Sequence, residues 1–545
     1  MRKMFGNSAG FRHTFLLLAI GLSSCGPKPT LTFPTSIPPQ PTNAEPATAT
    51  QVPASQYIVE LTPAGNVRAY PGPEHYAGDM LTFEIPHDGR FGDETITVSM
   101  ALDDQEPTEV SATSSWSGLL LPLAFDTTDL TGRHTLKFIT ADGPLNETYS
   151  FDILPADQRP PNEQNAAWMV SEIDCCVLHY ISETPAARDI EFIAEHFQQA
   201  AEDFATITGK NIDPKLDIYI LDRIWGNGGF GGNGELVISY TDRYYGPTIG
   251  GEGLETLARH EFTHAAGVGL EQAGDGIEFN YEGLAVYVAG GHYKPEPLAE
   301  RGAALYDLGH YVPIGQFLDQ HELAYLYPAA MLTYIVENYG SEKLWQFLAA
   351  DENTQDDQPG SLEAALQATF GVSLKDFDQG FQGWLESQES GKQLEDLRLT
   401  IELQDLRRQY QDIYAPPPYF FLGKAEDALA RPEYLPVVLR EAHTPPNMAV
   451  ELIIAHAQLA ILEGDYARAE QLNKMLTEIL SSGKFEDPLA KDYLDIVLAV
   501  AEEGYEVVNL DALLGDHASV RVTAEPPLLA NLELQKIDRK WQVLP

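Results

Sequence analysis

The sequence predicts a multidomain protein in which an all-β region precedes a central α+β domain and a mainly helical C-terminal region with a small terminal β-sheet. Its 545 residues are too many for one hydrophobic core. Polar, proline-rich stretches interrupt the chain at residues 27–56 and 155–165 and mark domain boundaries. After the second break, the two-residue hydrophobic alternation typical of strands gives way to longer helical segments.

The first 24 residues have the pattern of an export signal, with basic residues ahead of a short apolar run at 14–22. This run cannot cross a bilayer, which needs about 20 residues. It ends in LSSC, which resembles the bacterial lipoprotein signal, whose cysteine is lipidated. The resemblance implies a signal peptide over 1–24 and acyl chains on Cys25 that anchor an exported protein at the cell envelope, outside the cytoplasm. The alternative is an ordinary cleaved signal with an incidental cysteine.

Residues 25–56 are predicted to be a tether, because eight prolines and six threonines between 27 and 56 leave few large apolar side chains. Residues 57–155 then alternate like strands, in stretches such as DMLTFEIP, ETITVSMAL and HTLKFIT that turn residues separate. Short strands at this spacing predict a β-sandwich of the immunoglobulin type. We expect it to be a spacer or a module that binds a protein partner.

Acidic residues dominate the composition, with 81 Asp and Glu against 34 Lys and Arg and a net charge of -47. This charge argues against nucleic acids and anionic lipid surfaces as partners, since both require a basic face. Beyond Cys25 the chain has only Cys175 and Cys176, which are adjacent. Because neighbouring cysteines can form only a strained bridge, we expect two buried thiols.

The central domain is predicted over residues 166–390. Strands CCVLHYI and KLDIYIL flank a helix at 186–208, and a glycine-rich loop, WGNGGFGGNG, leads into the strand ELVISY. The remainder is mostly helical, so the order predicts an α+β fold. Residues 391–510 are predicted to be helical, and AILEGDYARAEQL resembles one tetratricopeptide unit, a possible site for a protein partner. Residues 511–545 alternate again and predict a small β tail.

The stretch RHEFTHAAG contains the pattern His-Glu-x-x-His. On a helix, His260 and His264 lie four residues apart on one face, so both imidazoles can reach one metal ion. Glu261 lies beside them and turns away from the metal, where it can accept a proton from water. An apolar stripe at positions 254, 258, 262 and 265 supports the helix, and Gly267 can end it.

A hydrolytic zinc site takes three protein ligands and leaves one position open. The metzincin pattern would place a third histidine at position 270, where this chain has Leu270. The other candidate is Glu282, which follows His264 by 18 residues and opens a predicted helix in FNYEGLAVYV. A glycine-rich connection could fold this helix back onto the first.

HEFTH followed by NYEGLAVYV is similar to the gluzincin peptidases, most of all the peptidase MA-like group, over roughly residues 170–390. The resemblance implies a thermolysin-like domain with one Zn²⁺ held by His260, His264 and Glu282. It implies hydrolysis of peptide bonds in a peptide or protein substrate through a metal-activated water, with Glu261 as the base. The glycines before ELVISY would let an extended substrate approach, and ELVISY could be an edge strand that pairs with it.

The downstream helices also resemble those of M1 aminopeptidases, in which a tyrosine stabilises the oxyanion; this implies Tyr325, with Tyr327 as its close competitor. The chain departs from M1 enzymes at GGNGEL, which lacks their Met-Glu-Asn, although Glu235 could replace the amine anchor. Internal and terminal cleavage therefore both stay open. At most one of three further histidines, at 292, 310 and 321, is expected to reach the cleft. The alternative function is a non-catalytic binding or assembly lipoprotein built on a peptidase frame.

Overall fold

The described part of the chain contains nineteen strands and fourteen α-helices in a computed structural model. The structure describes residues 58–544 except 73, 86–94, 115–118, 141–144, 160, 222–227, 233–234, 241–246, 248–249, 267–277, 315–320, 353–359, 416–434, 436–444 and 525–527. The predicted signal peptide, Cys25 and the predicted tether lie outside these residues. No helix among the described residues is long and apolar enough to cross a membrane.

The first region is built of strands. Its elements are β1 (Ile58–Glu60), β2 (Arg68–Tyr70), β3 (His75–Tyr76), β4 (Met80–Ile85), β5 (Thr95–Leu102), β6 (Thr108–Ser114), β7 (Leu119–Asp126), β8 (Gly132–Thr140) and β9 (Asn146–Leu154). Strands β2 to β9 form one sheet in the order β2-β4-β7-β6-β5-β8-β9-β3. This confirms a β-rich N-terminal region.

The β2–β9 sheet folds over on itself around one core. Phe83 on β4 and Phe138 on β8 are not on neighbouring strands, yet their ring centroids are 5.1 Å apart. Strands β6 and β7 are joined by the pairs Thr113 with Leu120 and Ser114 with Leu119. The alternation of buried and exposed side chains along β8 and β9 comes from this one-sided burial. The immunoglobulin type predicted from the sequence had two sheets, whereas hydrogen bonds make these strands continuous.

Strand β1 lies apart from this sheet. It pairs antiparallel with β15 (Lys484–Glu486), which belongs to the C-terminal region. The Leu61 amide also donates to the Gly483 carbonyl, and the Ala64 amide to the Ile413 carbonyl. The sequence placed residues 58–60 with the strands that follow them, and the structure places them on the C-terminal helices.

The central region contains a five-stranded sheet and most of the helices. Its elements are α1 (Pro161–Gln164), β10 (Trp168–Glu172), β11 (Cys176–Ile181), α2 (Pro185–Arg188), α3 (Ile190–Thr208), β12 (Leu216–Leu221), β13 (Gly229–Gly232), β14 (Glu235–Ser239), α4 (Glu252–Ala265), α5 (Glu278–Ala289), α6 (Leu298–Asp307), α7 (His321–Tyr339), α8 (Ser341–Glu352), α9 (Gly360–Phe370) and α10 (Leu374–Ser387). The sheet order is β10-β11-β12-β14-β13, with β11, β12 and β14 parallel.

Helices α3 and α4 pack on one another beside this sheet. Phe197 and Phe204, about two turns apart on the buried face of α3, contact Phe262 of α4 with ring centroids 5.8 and 6.4 Å away. Leu254 and Ala258 continue the buried stripe of α4, as its hydrophobic spacing predicts. The two histidines predicted to bind metal therefore lie on a helix whose buried face packs against the core.

Cys175 and Cys176, the first residue of β11, are joined by a disulfide bond. The prediction of two free thiols was therefore wrong, although both residues are buried as expected. The pair lies in the tight turn between β10 and β11, where the Ile173 amide donates to the Cys176 carbonyl. This turn brings the neighbouring side chains together.

The C-terminal region is mainly helical, as predicted, and ends in a four-stranded meander. Its elements are α11 (Gln393–Tyr414), α12 (Pro445–Glu463), α13 (Tyr466–Ser482), β15, α14 (Ala490–Glu502), β16 (Glu506–Leu514), β17 (His517–Ala524), β18 (Leu528–Ile537) and β19 (Lys540–Val543). Strand β16 begins inside the stretch predicted to be helical. Helix α12 is buried on several sides, with Val450, Ile453, Ile454 and Ala457 almost inaccessible to solvent. Within the tetratricopeptide-like segment, Ala460, Ile461 and Ala469 are buried in the same core, whereas Leu462 is exposed.

Candidate metal centre

Helix α4 places His260 and His264 on one face, as their spacing requires. Their Nε2 atoms are 3.1 Å apart. Both side chains are buried, with exposed fractions of 7% and 8%. Two imidazole nitrogens therefore converge on one point inside the protein.

Helix α5 brings the third donor to the same point. Oε2 of Glu282 lies 3.2 Å from Nε2 of His260 and 3.4 Å from Nε2 of His264. We call these three atoms the donor triangle. The sequence had suggested that Glu282 opens this helix. The helix instead begins at Glu278, so Glu282 lies one turn inside it. Within the described residues, this is the one cluster of His, Cys, Asp and Glu suited to a metal ion.

The donor triangle fits zinc. Ligands about 2.0–2.1 Å from a tetrahedral ion are roughly 3.3 Å from each other, which matches the three observed separations. Two histidines and one glutamate are also a donor set that hydrolytic zinc sites use, with one position left for water or substrate. The residues present therefore fit one Zn²⁺ ion.

The two carboxylates of the site have pKa values shifted in opposite directions. Although burial alone would raise it, hydrogen bonds from His260 and His264 hold the pKa of Glu282 well below its usual range. Burial, together with the charge of Glu282, raises the pKa of Glu261 to about 7. Glu261 is 4% exposed, and its Oε2 atom has no hydrogen-bond partner among the described residues. A cation beside these two carboxylates would stabilise both.

Strand β13 passes directly beside the Glu261 carboxylate. A Cβ atom added to Gly229 would lie 2.9 Å from Oε1 of Glu261, so glycine is needed for this close approach. Strand β13 is the last strand of the sheet on this side, and it covers β14. The expectation that ELVISY forms the edge was therefore wrong, because β14 is paired on both sides.

Arg259 fixes the distance between the two metal-binding helices. Its Nε and Nη2 atoms donate to the carbonyl of Ala289, the last residue of α5, at 3.2 and 3.1 Å. Its Nη1 atom donates to Asp203 on α3 at 2.9 Å. The sequence did not indicate this role, because an arginine one turn after Glu255 resembles an ordinary ion pair on a helix face.

The position directly after Glu282 is occupied by Gly283, and the space there admits no larger residue. A Cβ atom there would lie 2.4 Å from Cβ of Pro328 on α7. The glycine lets α7 approach α5 at the level of Glu282. Helix α7 carries both tyrosines that the sequence proposed, so this approach also sets their distance from the metal ligands.

The two tyrosines lie in different surroundings. The Tyr325 ring centroid is 6.0 Å from that of His260, whereas the hydroxyl of Tyr327 donates to the Val312 carbonyl at 2.5 Å in the core. Tyr325 is thus the one that faces the metal ligands. His292 also reaches the site, with its ring 4.2 Å from Tyr325 and 6.3 Å from His260. The side chain of His321 lies outside the described residues.

Glu235, the possible amine anchor, lies farther from the reaction centre. It pairs with Gly232, three residues along β13 from the glycine that touches Glu261. Three residues of strand span roughly 10 Å. The geometry therefore brings together His260, Glu261, His264, Glu282, Tyr325 and His292. It leaves Glu235 and Tyr327 outside the centre.

These features define a site for a single metal ion, with a buried carboxylate and a tyrosine beside it. No protein-family model matches the sequence, and no curated protein matches it. Among solved structures, the chain is similar to an M1 zinc metallopeptidase from Deinococcus radiodurans at 11% identity and a TM-score of 0.30, over 60% of this chain and 95% of that chain.

Two further solved structures are similar over most of this chain. Native leukotriene A4 hydrolase from Saccharomyces cerevisiae has 9% identity and a TM-score of 0.30, over 82% of this chain and 98% of that chain. An aminopeptidase N family protein from Idiomarina loihiensis has 8% identity and a TM-score of 0.16, over 89% and 93%. At such identities and TM-scores, the functional assignment depends on the geometry of the site.

Proposed function

We propose that this protein is a zinc-dependent peptidase of the gluzincin type. The observation that carries the proposal is the donor triangle with the buried Glu261 carboxylate on the same helix. When bound, Zn²⁺ supplies Lewis-acid chemistry that activates water and polarises a carbonyl oxygen. A purely structural zinc site has four protein ligands and needs no neighbouring base.

The side chains around the triangle have distinct roles in hydrolysis. Glu261 takes a proton from the attacking water and passes it to the leaving amine nitrogen. Tyr325 donates a hydrogen bond to the oxyanion that develops on the scissile carbonyl. The glycine-rich backbone of β13 borders the centre beside Glu261, where an extended peptide chain can lie close to it.

Replacement of Glu261 tests the proposal most directly. The Glu261→Gln variant keeps the shape of the side chain and loses the base, so kcat/KM should fall by about 10²–10⁴-fold with zinc still bound. The measurement incubates full-length, zinc-loaded protein with a mixed peptide library and identifies products by mass spectrometry. Glu252→Gln, an exposed glutamate on the same helix, is the matched control.

The outcomes separate the proposal from its rival. Cleavage by the parent and the control, and none by Glu261→Gln, supports a peptidase, and the cut positions distinguish internal from terminal cleavage. A parent that binds about one zinc and cleaves nothing would overturn the proposal in favour of a non-catalytic binding lipoprotein.

We also propose that the protein is exported and anchored through Cys25, for which the sequence alone provides support. Cys25→Ser should then move the protein from the membrane fraction to the soluble fraction of its host cell. An unchanged distribution would exclude the lipid anchor.

A further inference from the structure

The loop that follows α5 carries a histidine to which the proposed mechanism gives no role. This 290–296 loop has the sequence GGHYKPE. Gly290 and Gly291 have φ values of 73° and 156°, which let the chain reverse tightly. The Glu296 amide then donates to the Gly290 carbonyl at 2.7 Å and closes the loop. His292 lies in this closed loop, at the end of the helix that carries Glu282.

The His292 ring stacks on Tyr325. Their ring centroids are 4.2 Å apart and the ring planes differ by 10°. Tyr293 stacks on His292 as well, at 4.0 Å and 29°. Aromatic stacking at such distances restricts the rotation of both partners. The direction of the Tyr325 phenol, and so of its hydroxyl, therefore depends on where His292 lies.

Buried charges hold His292 in place. Oε2 of Glu296 accepts a hydrogen bond from the His292 backbone amide at 3.0 Å, and Oε1 accepts one from Arg301. Arg301 donates in turn to Oδ1 of Asp396 at 2.7 Å. Lys294, in the same loop, donates to Oδ2 of Asp396 at 2.8 Å. We call Lys294, Glu296, Arg301 and Asp396 the ion cluster.

The ion cluster links the metal site to the C-terminal region. Asp396 lies in the first turn of α11, outside the central region. Arg301 is 1% exposed and Asp396 is 5% exposed, so their interaction is shielded from water and salt. Helix α11 is bound to the 290–296 loop in two ways. Asp396 contacts Lys294 of the loop directly, and it contacts Arg301, which in turn binds Glu296 of the loop.

We propose that His292 is a positioning residue that holds Tyr325 beside the metal ligands, and that Asp396 of the C-terminal region fixes the loop that carries it. The C-terminal region is then part of the catalytic apparatus and not a separate binding module. This inference rests on the proposed peptidase function for its kinetic test. Its chemical-modification test is independent of activity.

The kinetic test compares two substitutions of His292 in the full-length zinc-loaded protein. His292→Ala removes the stack, and kcat should fall by about 10- to 100-fold, because a misplacement of about 1 Å can cost this much. His292→Phe keeps the stack and should retain most of the activity. Adding His292→Ala to Tyr325→Phe should cost little more than Tyr325→Phe alone, since both act on one group. Equal losses in Ala and Phe, or additive losses in the double variant, would overturn the proposal.

The second test measures nitration of tyrosines by tetranitromethane, with the sites mapped by mass spectrometry. Nitration of Tyr325 should rise several-fold in His292→Ala and stay at the parent level in His292→Phe. Tyr339, exposed on the same helix, is the internal control and should not change. This result would support the inference even if the parent cleaved no peptide. An unchanged Tyr325 rate in His292→Ala would refute it.

Lys294→Met tests the contribution of α11. It removes the direct hydrogen bond between the loop and Asp396 and leaves the Arg301–Asp396 pair in place, so the fold should persist. Tyr325 nitration should rise and kcat should fall, both by less than in His292→Ala. Parent-like values of both would overturn the role of the C-terminal region.

Discussion

The protein buries two polar clusters of similar accessibility, of which one has equal numbers of positive and negative side chains and the other has an excess of carboxylates. In the ion cluster, Arg301 and Lys294 face two carboxylates, and each carboxylate has a cationic partner. In the metal centre, Glu261 and Glu282 have no lysine or arginine partner among the described residues. A buried charge is costly unless it is paired. The ion cluster is balanced by protein charges alone, whereas the candidate metal centre would be balanced by the zinc ion proposed above.

The largest expected effect comes from unbalancing the ion cluster. Arg301→Met should lower the free energy of unfolding by about 3–5 kcal/mol, because Glu296 stays buried without its cation and Asp396 keeps only Lys294. Urea unfolding followed by circular dichroism measures this change. Arg398→Met is the control, since its partners are all partly exposed and such pairs contribute about 0–1 kcal/mol. If both substitutions lowered the free energy of unfolding equally, burial of the ion cluster would not be the reason for its contribution.

Completion of the metal centre by a cation should stabilise the fold. Zinc at about 1,000 times its Kd adds roughly 4 kcal/mol to the parent, and a chelator should reverse the gain. Glu282→Ala removes one corner of the donor triangle and should lose most of this effect, whereas Glu300→Ala, an exposed glutamate, should keep it. Thermal unfolding with and without zinc measures the shift. If zinc does not change the Tm of the parent protein, the metal centre does not bind this cation.

The smallest expected effect concerns the approach of α7 to the metal centre. Gly283→Ala should cost about 1–3 kcal/mol, because the added methyl group overlaps Pro328. It should also weaken zinc binding, since Glu282 is the neighbouring residue. Gly383→Ala, on α10, meets nothing within 4 Å and should be neutral or slightly stabilising. Zinc affinity equal to the parent in Gly283→Ala would mean that the helices can separate without moving the ligand.

The sequence predicted what depends on local spacing. His260 and His264 need only one helical face, and the apolar stripe of α4 showed that the helix exists. Glu282 required a second helix, and a resemblance to known peptidases indicated it. The start of that helix was misplaced, because EFNY at 278–281 shows no local helix-start signal. Tyr325 could be separated from Tyr327 only by the three-dimensional structure, since both lie on one helix two residues apart.

Contacts between distant parts of the chain were not predictable from one sequence. Asp396 lies about a hundred residues from its partners Lys294 and Arg301. Nothing in the local pattern of α11 distinguishes this aspartate from a favourable first-turn acid. The start of strand β16 was misplaced for another reason: EVVNLDALL mixes strand-forming valines with helix-forming leucines, and its partner strand β17 decides the outcome.

The pairing of β1 with β15 has a consequence for the order in which the chain can fold. Residues 58–60 leave the ribosome early, yet their partners at 484–486 are made more than four hundred residues later. Closing so large a loop is slow, and an unpaired strand attracts other strands in the meantime. A chain truncated before residue 484 leaves β1 without its native partner and exposes the helices on which it rests. Strand β1 can therefore reach its native position only after the C-terminal region has been made.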